Sequence, residues 1–181
     1  MKTESTVKFV LRLALTLLAI TSVVAVCLAG VNMITAPAIA ELNAKNTQAA
    51  IEAVLPGGGE EVDFPETDLV SKVYASDSGY AVEVTPGGFD NTITMMVGVD
   101  KSGNVLGIDV VSHTETAGLG AVADAETPAG IAFREQFVGQ SGSVSVSKDG
   151  GQIDAITGAT ITSRAICTGI NAALEVAAKM G

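Results

Sequence analysis

Hydroxyl side chains are concentrated in residues 154–164, DAITGATITSR, close to the C-terminal end of the chain. Gly158 lets the backbone of this stretch approach a partner closely, and a helical pattern of apolar residues follows it. A helix that begins at Thr160, Thr162 or Ser163 would present free N–H groups and the positive end of its dipole, which together favour a phosphate. The alternative is an ordinary helix cap, because Ser and Thr are preferred at caps whatever the function.

Several other kinds of reactive site are excluded by the composition of the chain. The stretch has no Gly-Lys-Ser/Thr ending, which excludes a P-loop. His113 is the only histidine, so a zinc site with several histidines cannot form. The two cysteines, Cys27 and Cys167, are far apart and no C-x-x-C occurs, which excludes a disulfide framework, an iron–sulfur site and haem attachment. We therefore expect no catalytic residue and no metal ligand, and we expect Cys167 to be a small buried residue.

An uncharged apolar run extends from Leu13 to Val31. At about 1.5 Å per residue it is about long enough to cross the hydrocarbon core of a bilayer. A cleavable signal peptide is the alternative, but the run is longer than the apolar region of a signal peptide, and VAV before Cys27 is a poor lipoprotein cleavage site. We expect a retained single-pass anchor over residues 13–34.

Charge differs on the two sides of this run. Residues 1–12 hold three of the ten basic residues and one of the twenty acidic ones, so the rest of the chain carries a net formal charge of −12. The positive-inside rule then places residues 1–12 in the cytoplasm and the remainder outside the cell (inner) membrane. Such an acidic field argues against nucleic acid as a partner, whereas membrane lipid is expected around the anchor.

Periodicity and turn residues predict the elements that follow the anchor. Pro37 should interrupt the first helix, and residues 38–59 predict an amphipathic helix that PGGG ends. Acidic residues 60–68 predict a surface loop or linker. Alternating apolar and polar residues then predict four strands in an antiparallel meander. These strands are residues 69–76, 80–85, 92–100 and 104–112.

The last part of the chain predicts two helices. One runs from Pro128 to Phe137, with the proline suited to its first turn, and the final helix covers residues 162–180. A short strand is predicted over residues 142–147. This order of elements predicts an α+β domain rather than alternating βαβ units. The predicted organisation is a cytoplasmic N-terminus at 1–12, a transmembrane anchor at 13–34, an amphipathic helix and linker at 35–68, and one extracytoplasmic domain at 69–181.

Residues 154–163 resemble the flavin-attachment motif of the FMN-binding domain family, Asp-x-x-Ser/Thr-Gly-Ala-Thr, often followed by x-Ser/Thr. Members of this family include the G subunit of the Rnf complex and the C subunit of the sodium-translocating NADH:quinone reductase. In the family, the final Thr of the motif, here Thr160, carries FMN through a phosphodiester. The resemblance therefore implies FMN as the cofactor, covalently linked through its phosphate to Thr160, and residues 69–181 as the covalent FMN-binding domain.

Residues 112–120 carry a second resemblance, because SHTETAGLG is similar to the family segment S-H-x-E-T-P-G-L-G near the flavin. Ala117 stands where the family has proline, so this loop is expected to be slightly less rigid. The resemblance implies that the two segments together position the flavin. The implied cofactor-binding residues are His113, Glu115, Thr116, Gly118, Leu119, Gly120, Thr157, Gly158, Ala159, Thr162 and Ser163.

An ordinary threonine hydroxyl is a poor nucleophile. The resemblance accordingly implies a separate flavin transferase that uses FAD and a metal ion to load FMN onto the chain. Arg164 has two interpretations, a contact to the phosphate or an ordinary helix-surface residue. The strip that the transferase would recognise is Asp154, Thr157, Gly158, Ala159 and Thr160.

The short distance between anchor and motif favours a G subunit of an Rnf-type complex over the C subunit of the NADH:quinone reductase, which is typically longer. The resemblance implies an electron-carrier subunit of an ion-translocating oxidoreductase (a translocase), with no complete catalytic site of its own. The complex would couple ferredoxin:NAD electron transfer to translocation of sodium ions or protons, through partner subunits with iron–sulfur clusters and flavin. Three alternatives stay open: that C subunit, an anchored extracellular flavin carrier outside a pump, and a non-redox module that binds a phosphate ligand.

Overall fold

The structure of the chain, a computed structural model, describes residues 2–65 and 67–181. Residue 1 of the predicted cytoplasmic segment and residue 66 of the predicted linker lie outside the described residues. The chain divides into two compact units, Met1–Lys45 and Asn46–Gly181. The first unit is helical, and the second contains a sheet with helices against it.

Helix α1 runs from Lys2 to Val54. Pro37 lies inside it, so the predicted interruption at this proline is wrong. Proline removes one backbone hydrogen bond and crowds one carbonyl, and the strong helix formers of AIAELNAKNTQAAIEAV continue the helix beyond it. Among the described residues, α1 is the one helix whose length and apolar composition suit a membrane span.

Within the described residues, five antiparallel strands form one sheet, and their order across the sheet follows the chain. The strands are β1 (Glu60–Val62), β2 (Val70–Ala75), β3 (Gly79–Val84), β4 (Thr94–Asp100) and β5 (Val105–Ser112). The four predicted strands and the predicted meander are confirmed.

Strand β1 falls where the sequence predicted a loop, and that prediction is wrong for its three residues. Residues 60–62 pair with β2 at the edge of the sheet. Val62 packs against the core while Glu60 and Glu61 stay exposed. Two acidic residues and one valine are too short a pattern for periodicity to detect, and the charged side chains suit an exposed sheet edge.

Two further helices belong to the second unit. Helix α2 (Pro128–Glu135) begins at the predicted proline, and the Thr127 hydroxyl caps it by accepting a hydrogen bond from the Gly130 N–H. Helix α3 (Thr160–Met180) is the final helix, and it packs its apolar face on β3 and β4. Both predicted helices of this part of the chain are therefore confirmed.

The strand predicted over residues 142–147 is wrong. In this stretch a single bridge joins Val146 to Ile153, and the 3-10 turn Ser147–Asp149 follows. The Asn171 side-chain amide from α3 takes the place of a neighbouring strand, since its Oδ1 accepts from the Val144 N–H at 2.7 Å and its Nδ2 donates to the Val144 carbonyl at 2.9 Å.

Both faces of the sheet contain buried residues. One face packs against α3 and carries Met95, while Met96 lies on the other face against the end of α1. Both methionines are fully buried, although neighbouring residues of a strand face opposite sides of its sheet. Gly98 allows the close packing of α1, because a Cβ at this position would collide with the Val54 carbonyl oxygen.

Candidate functional site

The two segments that the sequence singled out meet in a cleft of about 280 Å³ at the N-terminal end of α3. The loop between β3 and β4 and the 3-10 turn Ser147–Asp149 complete its walls. The lining residues are Phe89, Glu115, Thr116, Leu119, Gly120, Lys148, Gly158, Ala159, Thr160, Ile161 and Thr162.

A buried carboxylate, that of Glu115, joins three of these segments. Its Oε2 accepts a hydrogen bond of 2.5 Å from Thr162 Oγ1. Its Oε1 accepts from the backbone N–H of Phe89 at 2.8 Å and from that of Asp90 at 3.3 Å. A buried carboxylate is tolerated only when such donors satisfy it. Glu115 therefore ties the start of α3 to the loop between β3 and β4.

Two glycines make room for this carboxylate. A Cβ at Gly88 would collide with Oε1 of Glu115, and a Cβ at Gly120 would collide with Oε2. The same added Cβ at Gly120 would lie 2.7 Å from Thr162 Oγ1, which is closer than real Cβ contacts. The position of the Glu115 side chain thus requires glycine on both sides of it.

His113 contacts Glu115 rather than the cleft itself. Its Nδ1 accepts a hydrogen bond of 3.1 Å from the Glu115 backbone N–H, and its Nε2 lies 3.6 Å from Oδ2 of Asp124. A neutral imidazole that accepts at Nδ1 carries its proton at Nε2, here toward the Asp124 carboxylate. His113 is thus placed to hold the backbone that presents Glu115.

The start of α3 has no side-chain cap. Its N-cap residue is Ala159, and no side chain of the described residues caps the first turn by a hydrogen bond. The interpretation of the Thr and Ser residues as an ordinary helix cap is therefore wrong. Backbone N–H groups at the start of the helix lie at the cleft without a capping side chain, and this arrangement favours an anion.

Thr160, the first residue of α3, is half-buried at the cleft. Lys148 donates a hydrogen bond of 3.2 Å from Nζ to Thr160 Oγ1. Beside Lys148, the Asp149 carboxylate accepts two hydrogen bonds of 2.7 Å from the Arg164 guanidinium. Arg164 thus contacts Asp149 rather than the hydroxyl, and this hydrogen bonding lowers the pKa of the Asp149 carboxyl.

Several residues that the resemblance implied lie outside this cleft. Ser163 is fully buried; its Oγ accepts from the Ile156 N–H and donates to the Ala159 carbonyl, both at 3.0 Å. Those bonds fix the turn that precedes α3. A separate groove lies next to α2, and its lining includes Gly118, Asp154 and Thr157 of the same loops.

Three residues that line the cleft were not among those predicted from the sequence: Phe89, Lys148 and Ile161. Phe89 is 65% exposed, and a large apolar side chain in the glycine-rich PGGFDN turn was a pattern that could have indicated it. Ile161 follows Thr160 directly, but an isoleucine in a helical pattern is typical of a core residue, so its type did not indicate a place in the cleft. No sequence pattern indicated Lys148 as a residue of the cleft, because only the fold brings its side chain to Thr160.

The cleft combines features that suit a phosphate on a planar apolar ring. The exposed side chains of Phe89, Leu119 and Ile161 supply apolar contact area. The Lys148 ammonium and the uncapped start of α3 supply positive charge and donors beside the Thr160 hydroxyl. FMN has this composition, with a phosphate at one end and a flat ring system at the other, so the residues present fit it.

Comparisons with known proteins agree with this chemistry. Residues 88–175 match the FMN-binding domain family. The chain is 31% identical to the G subunit of the Na⁺-translocating ferredoxin:NAD⁺ oxidoreductase complex of Acetobacterium woodii, over 93% of this chain and 92% of that protein. It is 32% identical to the G subunit of an ion-translocating oxidoreductase complex of Methanosarcina acetivorans, over 93% and 94%. The corresponding protein of Vibrio vulnificus is 40% identical over 51% of this chain and 45% of its own.

The first two of these likenesses extend over 93% of the chain. Together with the apolar helix α1, they support anchoring in a membrane. The Glu115 and Thr160 segments both lie inside the matched residues 88–175. The chain therefore belongs to the family of G subunits of ion-translocating oxidoreductase complexes and carries that family's FMN-binding domain.

Proposed function

We propose that the chain carries FMN covalently on Thr160 and acts as an electron carrier in an Rnf-type complex. The observation that carries this proposal is the position of Thr160 Oγ1, which lies at the uncapped start of α3, 3.2 Å from the Lys148 ammonium. The apolar rim of Phe89, Leu119 and Ile161 lies in the same cleft. A phosphodiester at Thr160 places its charge beside the ammonium and leaves the rim for the ring.

Attachment of the cofactor is a transfer reaction onto the Thr160 hydroxyl. The Oγ–P bond forms, the pyrophosphate P–O bond of FAD breaks, AMP leaves, and the hydroxyl proton passes to solvent. Lys148 cannot take that proton, because an ammonium has no acceptor site. A separate flavin transferase with a metal ion is therefore part of the proposal. The strip that it recognises is Asp154, Thr157, Gly158, Ala159 and Thr160. Asp154 and Thr157 are exposed, which suits recognition by another protein.

FMN supplies one-electron and two-electron redox chemistry when bound, and the residues of the chain supply position and environment. Glu115 and Thr162 fix the wall of the cleft, and the apolar rim supplies contact area for the ring. Outer-sphere electron transfer requires no acid, base or nucleophile on this chain. The partners in the proposal are the subunits of the complex that hold iron–sulfur clusters and further flavin.

The relative from Acetobacterium woodii is named for a complex that translocates sodium ions and links ferredoxin to NAD. For this chain we propose the same coupling of electron transfer to movement of sodium ions or protons. The test is isolation of the complex with the wild-type chain and with Thr160→Val. We expect both complexes to assemble, and we expect only the wild type to transfer electrons from ferredoxin to NAD. Full activity in the Thr160→Val complex would contradict the proposal.

The proposed organisation places residues 1–12 in the cytoplasm, 13–34 in the cell membrane, a helix and linker at 35–68, and the flavin domain at 69–181 outside the cytoplasm. The test uses Ser78→Cys in a Cys27→Ser chain, because residue 78 lies exposed in the turn between β2 and β3. A membrane-impermeant maleimide should label this cysteine in intact cells or spheroplasts. Labelling that occurs only after the membrane is permeabilised would show that the orientation is opposite to the proposed one.

A further inference from the structure

Lys148 is the basic residue among the described residues that line the cleft, and it donates directly to the Thr160 hydroxyl. Its side chain is exposed, so it retains its full hydration except where it contacts Thr160. Glu115, the acidic residue of the same lining, uses its carboxylate for Thr162 and for backbone N–H groups. Among the described residues that line the cleft, no carboxylate therefore pairs with this ammonium.

A bidentate ion pair holds the turn that carries this lysine. Asp149 Oδ2 accepts a hydrogen bond from Nε of Arg164 at 2.7 Å, and Asp149 Oδ1 accepts one from Nη2 of Arg164, also at 2.7 Å. Arg164 lies one helical turn after Thr160 on α3. The pair therefore links the turn Ser147–Asp149 to the same helix that presents the acceptor hydroxyl, and planar bidentate pairs fix orientation as well as distance.

We propose that Lys148 is the residue that pairs with the phosphate at Thr160, and that Asp149 and Arg164 position it. This inference rests on the proposed function. Before attachment the ammonium donates to the Thr160 hydroxyl. Once the Oγ–P bond has formed, the proton of the hydroxyl has gone and the negative charge lies on the non-bridging oxygens of the phosphodiester. An ammonium with three rotatable donors can turn to these oxygens without moving its backbone.

The role of Lys148 is electrostatic, so it favours the attachment reaction as charge builds at the phosphorus. Because the side chain is exposed, the effect is modest: loss of the charge should slow attachment about threefold to tenfold. Salt screens an exposed pair, so this difference should shrink as ionic strength rises. A residue that only supported the fold would show no such dependence on salt.

The test measures attachment of FMN to the full chain in detergent, with purified flavin transferase, Mg²⁺ and FAD, by intact mass against time. The variants are Lys148→Gln, Lys148→Arg and, as a matched control, Lys179→Gln, whose side chain pairs with Glu175 at the far end of α3. Of these three variants, only Lys148→Gln should attach FMN slowly, and its defect should be smaller at high salt, whereas Lys148→Arg and Lys179→Gln should attach FMN at near-wild-type rates. Arg164→Gln should fall between the wild type and Lys148→Gln.

A second readout uses phosphorus NMR of the loaded proteins and does not depend on the attachment rate. The phosphodiester resonance of Lys148→Gln should differ in chemical shift from that of the wild type, because the ammonium no longer lies beside the phosphate at Thr160. In Lys179→Gln the resonance should keep its wild-type position. Equal attachment rates together with equal phosphorus chemical shifts in the wild type and Lys148→Gln would overturn the inference and leave the proposed function intact. A wild-type chain that accepts no FMN would overturn both.

Discussion

Thr162 donates a hydrogen bond from Oγ1 to Oε2 of Glu115, although 47 positions separate the two residues in the chain. Both side chains are buried, with exposed fractions of 1% for Thr162 and 8% for Glu115. The bond joins the two segments that resemble the FMN-binding family. It explains in physical terms why these segments occur together, because the first supplies the acceptor and the second supplies the donor.

Thr162→Val should remove this donor with little change in side-chain shape. Because one oxygen of a buried carboxylate then lacks a partner, we expect the free energy of unfolding to fall by about 1–3 kcal/mol. The measurement is guanidinium unfolding of the full chain in detergent, followed by tyrosine fluorescence. Thr168→Val is the control: this exposed hydroxyl of α3 donates to the Arg164 carbonyl of its own helix, and its loss should change stability by less than about 0.5 kcal/mol.

Glu115→Gln completes a double-mutant cycle with Thr162→Val. If the two side chains act through their shared bond, the losses in unfolding free energy should not add, and the coupling should be about 0.5–3 kcal/mol. Strict additivity of the two losses would show that the bond contributes nothing to stability.

Much of the fold could be predicted from the sequence. The period-two alternation of residues 69–112 predicted the meander, and Pro128 marked the start of α2. The burial of Met96 could not be predicted, because it depends on the end of α1 covering the second face of the sheet. The continuity of α1 through Pro37 was also missed, since the cost of one proline is local while helix propensity adds up over many residues.

The candidate site also contains residues that the sequence indicated and residues that it did not. The motif resemblance indicated Glu115 and Thr160, both of which line the cleft. It did not indicate Lys148, whose contact to Thr160 arises from the 3-10 turn and from the pair between Asp149 and Arg164. Local sequence patterns detect residues that share a segment, whereas this contact joins two segments that only the fold brings together.

Gly88→Ala should disturb the cleft, whereas Gly87→Ala should not. A Cβ at Gly88 would collide with Glu115 Oε1 and lie 2.8 Å from the Asn91 carbonyl oxygen, whereas a Cβ at Gly87 meets nothing within 4 Å. Overpacking of this kind costs about 1–3 kcal/mol, so we expect Gly88→Ala to lower the unfolding midpoint and the yield of bound FMN. Equal behaviour of these adjacent variants would contradict the proposed packing of Glu115.

Cys167 should make stability depend on pH in the alkaline range. Burial raises the pKa of this thiol to about 11, whereas a free cysteine ionises at about pH 8.5. The stabilisation from keeping the thiol neutral is therefore fully present below about pH 8.5 and is lost as pH rises toward 11. We expect Cys167→Ala to lose less stability than the wild type over this range. Parallel stability curves for the two chains would contradict this prediction.

The central claim, covalent attachment at Thr160, is tested most directly by the intact mass of the denatured full chain after production with a flavin transferase. The wild type should exceed its sequence mass by one FMN less one water and should fluoresce on a denaturing gel. Thr160→Ser should keep this increment because it retains a hydroxyl, and Thr160→Val should lose it. An unmodified wild type, or an increment that survives in Thr160→Val, would contradict the account.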